Sequence, residues 1–270
     1  MFEGLFTPQS AHGQTYIPRE RLGSGQYSGV YLGYNSNDLD QPVALKFILL
    51  EGNAQLRNNL IIEEAAFLKS HQHPNFTQYL DHSVNNINPY LVMELLPETL
   101  AQKVTTRGIT QPIIELYLTQ ISAILQELAA KDQIHGDLRT KNIGIKDNLL
   151  KVLDPLPSIC KIKPCQDKRS WWYAPENKEN IYLPASDMYT LGKNIEHLLV
   201  GKLFESPEQA YDHIEIYHDC ELPQEFKQLH TAMTNPNPHK RPTLPQLDQL
   251  LTSVIEIMQE KEYFFKKDLF

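Results

Sequence analysis

His135-Gly136-Asp137-Leu138-Arg139-Thr140-Lys141-Asn142, followed twelve residues on by Asp154, is the stretch on which the fold turns. Between Asn142 and Asp154 lie the apolar run Ile143-Gly144-Ile145 and the segment Leu149-Leu150-Lys151-Val152-Leu153, which read as two short strands. A loop, a hairpin and a strand-end Asp would bring Asp137, Asn142 and Asp154 to one surface. That set suits phosphoryl transfer from a metal nucleotide: an Asp orients and deprotonates an incoming hydroxyl, and hard oxygen ligands hold Mg2+. A polar turn between two strands is the plainer reading of the octet, since short motifs recur by accident.

Outward from that stretch, Gly23-Ser24-Gly25-Gln26-Tyr27-Ser28-Gly29-Val30-Tyr31 sits between apolar runs that read as strands. A glycine-rich hairpin lets backbone N–H groups approach phosphate oxygens with no Cβ in the way, although glycines equally serve an ordinary turn. Val43-Ala44-Leu45-Lys46-Phe47 is an apolar strand with a Lys in its middle, a residue costly to bury unless paired. Its partner is read as Glu64, on the stretch Leu60 to Ser70 where Ile61, Ala65 and Leu68 recur at helical spacing. Glu63 is the neighbouring rival, and only one of the two can face inward.

With these residues the chain resembles the eukaryotic-type protein kinase family, and the resemblance extends over nearly its whole length. Asp137 resembles the catalytic Asp of the family's His-Arg-Asp loop, Asn142 its metal-binding Asn, and Asp154 the metal-binding Asp of Asp-Phe-Gly. Lys46 is similar to the strand lysine that contacts nucleotide phosphates, with Glu64 as its helix partner. The family places that Glu nine residues before a His-Pro-Asn turn, and His73-Pro74-Asn75 stands nine after Glu64, which favours it over Glu63. Tyr90-Leu91-Val92-Met93-Glu94-Leu95-Leu96 resembles the strand running into the hinge. Ala174-Pro175-Glu176 resembles the close of the activation segment. Ser186-Asp187-Met188-Tyr189-Thr190-Leu191-Gly192 resembles the helix whose Asp braces the catalytic loop, with Tyr189 where Trp is usual, and Arg241 fits the late Arg that pairs with Glu176.

The resemblance implies an α+β, two-lobed protein-kinase-like fold, with a β-rich N-lobe over residues 1–94 and a mostly helical C-lobe over 95–270. It also implies ATP and Mg2+ as cofactors. The adenine would lie against Glu94 to Leu96, with Val30 and Ala44 above it, Met93 guarding the pocket and Gly144 on its floor. Gly23, Gly25 and Ser28 would face the phosphates, which Lys46, held by Glu64, would contact. Asn142 and Asp154 would hold Mg2+, and Asp137 would accept the substrate's proton beside Arg139, which stands where serine/threonine kinases usually carry Lys.

Bulk properties agree with such a chain. At 270 residues it is long enough for a sizeable core, and 41% hydrophobic with 21% charged residues describes an ordinary globule. A net charge of −8 argues against general binding to nucleic acid or anionic membrane. No apolar run approaches eighteen residues, so no membrane span is expected, and the start lacks the flank and core of a signal peptide. Three cysteines, Cys160, Cys165 and Cys220, suggest reduced thiols and an intracellular, cytoplasmic setting. Helices are expected over Ile113 to Lys131 and Leu247 to Glu262. The aromatic, basic end from Tyr263 to Phe270 reads as a tail packed on the lobe, or as a docking segment for a regulatory partner.

Several departures from the family pattern bear on regulation. Gly136 replaces the Arg that pairs with an activation-segment phosphate, so activation by that route is not expected. Asp154-Pro155-Leu156 replaces Asp-Phe-Gly, and Leu156 lacks the backbone freedom of glycine, which points to a constitutive enzyme. The basic run Lys161, Lys163, Lys168 and Arg169 reads as a solvated loop, and around Ser170-Trp171-Trp172-Tyr173 the family's Thr has no clear counterpart. The leading expectation is a serine/threonine protein kinase. A small-molecule phosphotransferase of the aminoglycoside or choline kinase type and a pseudokinase scaffold are the alternatives.

Overall fold

The computed structural model describes residues 9–25, 28–84, 88–107, 111–158, 171–200 and 223–260. Gln26 and Tyr27 of the glycine-rich hairpin, the three cysteines, the basic run with Ser170, and the C-terminal tail lie outside the described residues. The chain divides into two compact units, one ending at Pro97 and the other beginning at Glu98.

In the first unit, β1 (Tyr16–Ser24), β2 (Ser28–Asn35), β3 (Asp38–Ile48), β4 (Tyr79–Ser83) and β5 (Tyr90–Glu94) form one antiparallel sheet in the order β1-β2-β3-β5-β4. The run Val43–Ile48 is buried along its length because β3 is flanked on both sides, by β2 and β5. Tyr16, Val43, Leu45, Phe47, Tyr90 and Val92 make the core, with the Phe47 and Tyr90 rings 5.4 Å apart. Gly33 is required by close approach: a Cβ there would stand 2.3 Å from a Leu45 methyl.

The helix expected from Leu60 begins earlier. α1 spans Ala54–Ser70, because Asn53 caps it, its side chain accepting a 2.9 Å hydrogen bond from the Leu56 N–H. Ile61, Glu64, Ala65 and Leu68 are buried on its inner face, and Glu63 is exposed.

The second unit opens with a small sheet of β6 (Glu98–Thr99), β7 (Ile143–Lys146) and β8 (Leu149–Val152). Asp147 and Asn148, at φ 52° and 58°, form the two-residue turn whose twist matches the β7–β8 hairpin. The helices are α2 (Leu100–Arg107), α3 (Gln111–Ala130), α4 (Pro184–Val200), α5 (Gln224–Met233) and α6 (Leu244–Glu260). α3 and α6 start two and three residues before the expected Ile113 and Leu247. Pro112 and Pro245 fall in the first turns of these helices, where a missing N–H has no partner to lose. By length and composition alone α3 would suffice to cross a membrane, a test that the buried core helix of a globular protein also passes. Its Ile114, Tyr117, Leu118, Ile121 and Leu125 are buried in this unit, against α4, α6 and β8. The β-rich unit followed by a mostly helical one is the α+β class the sequence implied.

A buried ion pair ties distant segments of the second unit. Arg241 meets Glu176 through two parallel hydrogen bonds, Nη1 to Oε1 at 2.5 Å and Nη2 to Oε2 at 2.8 Å. Arg241 also donates to the carbonyls of Asn235 and Ala185, and its guanidinium stacks 4.9 Å over the Tyr189 ring. Burial alone would raise the Glu176 carboxyl. Hydrogen bonds from Arg241 and Ser186 outweigh it and hold the group below its ordinary value. Breaking such a pair on one side leaves a buried charge uncompensated. Glu176→Ala and Arg241→Ala should therefore each lower unfolding free energy by about 3–5 kcal/mol in denaturant titrations, the double variant losing less than the sum. Additive losses below a kilocalorie would show that the pair carries no such weight.

Candidate functional site

In the first unit the sheet presents one buried cation. Lys46 lies opposite Val30 on β2 and Leu91 on β5, where its ammonium could not stay charged without a partner. Glu64 supplies that partner from α1, its two carboxylate oxygens 2.8 and 2.6 Å from Lys46 Nζ. Ala44 pairs with Met93 in the same sheet, and both are buried. Glu94 closes β5, its carboxylate accepting from the Gln78 N–H at 2.9 Å, while Leu96 is half-buried beyond it. The glycine-rich hairpin is formed: Gly23 pairs with Val30, and the Gly25 N–H donates to the Ser28 carbonyl at 2.9 Å. Gly23 and Gly25 are exposed, Ser28 and Val30 half-buried.

In the second unit the residues 135–142 are held from α4. The buried carboxylate of Asp187 accepts two backbone N–H groups, from His135 and from Gly136, each at 2.8 Å. His135 Nδ1 accepts the Asp137 N–H at 3.2 Å, so its Nε2 carries the proton and donates to the Leu153 carbonyl at 2.9 Å. That bond joins the loop to the segment bearing Asp154. The Leu156 N–H returns to the His135 carbonyl at 2.9 Å, and the Leu153 N–H reaches the Asn142 carbonyl at 3.1 Å. Gly136 stands at φ 83°, a region glycine enters without strain and other residues at a cost of about 1–3 kcal/mol. Asp154 itself is left-handed, at φ 56°.

The Asp137 carboxylate is buried and oriented. Asn142 Nδ2 donates to its Oδ2 at 2.8 Å and to its backbone carbonyl at 2.9 Å, and Arg139 Nε stands 3.2 Å from Oδ2. Burial pushes the Asp137 carboxyl up from its ordinary value, and the charge of Asp154 pushes the same way. Arg139, the Asn142 amide and the Trp172 indole act against that rise. The Arg139 guanidinium lies over the Trp172 ring at 4.9 Å. Asp137, Arg139, Asn142 and Asp154 are thus gathered in the second unit as the sequence implied, and Lys46 with Glu64 in the first. Gly144 lies buried in β7, paired with Thr99 and Lys151. Trp172 at the loop was not foreseen. Its only trace in the sequence is the Trp171-Trp172 pair shortly before Ala174-Pro175-Glu176, which has no periodicity to read.

Residues 16–253 match the family described as protein kinase domain. Among curated proteins the chain is similar to serine/threonine-protein kinase CST20 of Candida albicans, with 29% identity over 73% of this chain and 17% of that protein. It is similar to serine/threonine-protein kinase ULK3 of Mus musculus, with 32% identity over 47% of this chain and 28% of that one. It also resembles serine/threonine-protein kinase PknG of Mycobacterium leprae, with 26% identity over 73% of this chain and 27% of its relative. The matched region therefore spans under a third of each relative.

Thr140 in the same loop meets a histidine of α4, Thr140 Oγ1 and His197 Nδ1 lying 2.7 Å apart. Burial lowers the His197 pKa from 6.5 to about 4, and the charge of Lys141 adds to the shift. The unfolded chain therefore takes up a proton near pH 6.5 that the folded one refuses until about pH 4, and stability falls as pH drops through that window. The full shift corresponds to about 3 kcal/mol. Denaturant titrations at pH 7 and pH 4 should show the wild type losing that much more than His197→Asn; equal losses would exclude a buried neutral His197.

Proposed function

The chain belongs to the protein kinase family, and from that premise we propose that it transfers the γ-phosphoryl group of MgATP to serine or threonine hydroxyls of protein substrates. The observation that carries this reading is the Asp137 carboxylate, buried, aligned by Asn142 and Arg139, on a loop fixed by Asp187. A base for an alcohol must be locked in direction, and Asn142 and Arg139 orient the Asp137 carboxylate in that way.

The donor set suits Mg2+. Asn142 gives its N–H groups to Asp137, and among the described residues nothing donates to its Oδ1, which is left to coordinate, with the Asp154 carboxylate as the second oxygen ligand. When bound, Mg2+ neutralises charge on the phosphate oxygens. The chain's own groups do the remainder. Lys46, held straight by Glu64, contacts the phosphates, while the hairpin N–H groups around Gly23, Gly25 and Ser28 cover them. Val30, Ala44, Met93, Glu94 and Leu96 of the first unit would contact the base. Asp137 takes the acceptor's proton, and Arg139 stabilises negative charge as it grows on the transferring group. A protein acceptor is favoured over a small molecule by the Glu176–Arg241 pair, a protein-kinase feature of the large unit, and by the serine/threonine-kinase names of the relatives.

Two features support activity without a switch. Gly136 offers no side chain to read a phosphate, and Leu156 is tied by its N–H to the catalytic loop while Pro155 fixes φ beside it.

Radiolabel should pass from ATP to a protein mixture with the wild type and not with Asp137→Asn. Lys46→Met should lose roughly 10^2–10^4 in rate. Transfer that survives Asp137→Asn, or nucleotide binding with no transfer by the wild type, would refute the reading in favour of a scaffold.

Phosphatase treatment should alter kcat by less than about fivefold, which is roughly 1 kcal/mol on the barrier. A large loss would mean that another basic group reads an activation-segment phosphate.

A further inference from the structure

Beside Asp137 a donor and an acceptor face a common cluster without being satisfied. Asp137 Oδ2 is occupied by Asn142 and approached by Arg139, but Oδ1 is buried with no hydrogen-bond partner among the described residues. Trp172 Nε1 is buried and unpartnered in the same way. Carboxylate oxygens only accept and an indole N–H only donates, so the two are complementary. Arg139 brings them to one cluster, its Nε 3.2 Å from Asp137 Oδ2 and its guanidinium 4.9 Å over the Trp172 ring, although the indole N–H and Oδ1 fall short of hydrogen-bond geometry.

Arg139 links them. Its guanidinium stacks on the Trp172 ring, and its Nε, also buried, makes no hydrogen bond, so its hold on Asp137 is electrostatic and its direction rests on the stack. Trp172 is itself anchored. Thr190 Oγ1 donates to its carbonyl at 3.1 Å, and its ring sits edge-on to Trp171, 5.8 Å away, and tilted against Tyr173 at 5.7 Å. A rigid indole therefore faces both the base and its cation.

We propose that Trp172 is a positioning residue for phosphoryl transfer: its ring face holds Arg139 at the reacting centre, and its N–H steers Asp137 through Oδ1. Contacts of this kind are often long before substrate binds and tighten in the reactive complex, which accounts for two unsatisfied atoms facing one cluster. The proposal rests on the phosphotransferase reading above and adds a residue outside the family's usual set.

The test is a kinetic cross with an activity-independent control. Trp172→Phe keeps a ring for the stack and removes the N–H, and should lower kcat about tenfold with the KM for ATP within about twofold. Trp172→Leu removes both and should lower kcat about a hundredfold, but no further than Trp172→Phe once Arg139→Met has abolished the stack. Unchanged kcat in Trp172→Phe, or the same extra loss for Leu with and without Arg139, overturns the proposal. The chain has two tryptophans, so the Trp172 indole resonance is identified by its absence in Trp172→Phe. In Asp137→Asn that resonance should move while that of Trp171 stays; no movement overturns the contact. A wild type that transfers no phosphoryl group defeats the function proposed above, whereas the resonance still decides this contact.

Discussion

The Asp187 carboxylate, buried on α4 and accepting the backbone N–H groups of His135 and Gly136, is the constraint on which the second unit's site depends. Hydrogen bonds to a charged acceptor contribute about 1.5–3 kcal/mol each, and without them two buried N–H groups would be orphaned. The same helix holds the loop twice more. Asn194 donates to the Leu138 carbonyl at 2.7 Å and His197 meets Thr140, and positions 187, 194 and 197 share one helical face. One rigid element thus fixes residues 135–140 at three points, and the carboxylate of Asp137 inherits that order.

His135 extends the constraint to the Asp154 segment. With Nδ1 occupied by the Asp137 N–H, its other nitrogen must donate, and it does so to Leu153. The return bond from Leu156 closes a small circuit of backbone and ring between loop and segment. Gly136 lies inside this circuit at a positive φ, which glycine adopts without the strain that a longer residue would carry. In the first unit a single ion pair, Lys46 with Glu64, has a comparable place: it makes a buried cation tolerable in a sheet core and links α1 to β3.

Much of this was legible before any coordinates. The period of Ile61, Ala65 and Leu68 selects an inner helical face, and Glu64 lies on it while Glu63 does not. The apolar run Ile143–Ile145 and the segment Leu149–Leu153 located β7 and β8, and Asp147-Asn148 supplies the turn that joins them. Helix starts were less legible. Asn53, Pro112 and Pro245 are ambiguous between turn and first helical turn, since each suits both, and only packing of the following apolar face decides.

Residue order by itself determined the two classes of unit, the pairing of Lys46 with a carboxylate on the next helix, and the set Asp137, Asn142 and Asp154. Those depend on local periodicity and on chemistry that few residue types can supply. Tertiary structure alone decided that Trp172 lies under Arg139 beside Asp137, that His197 is buried neutral against Thr140, and that Gly136 is left-handed. Each arises where segments far apart in the chain meet, and such contacts leave no period, spacing or composition to read. The physical reason is that a side chain's partners are set by where the backbone is held, and here the backbone is held by Asp187, fifty residues beyond the loop that it braces.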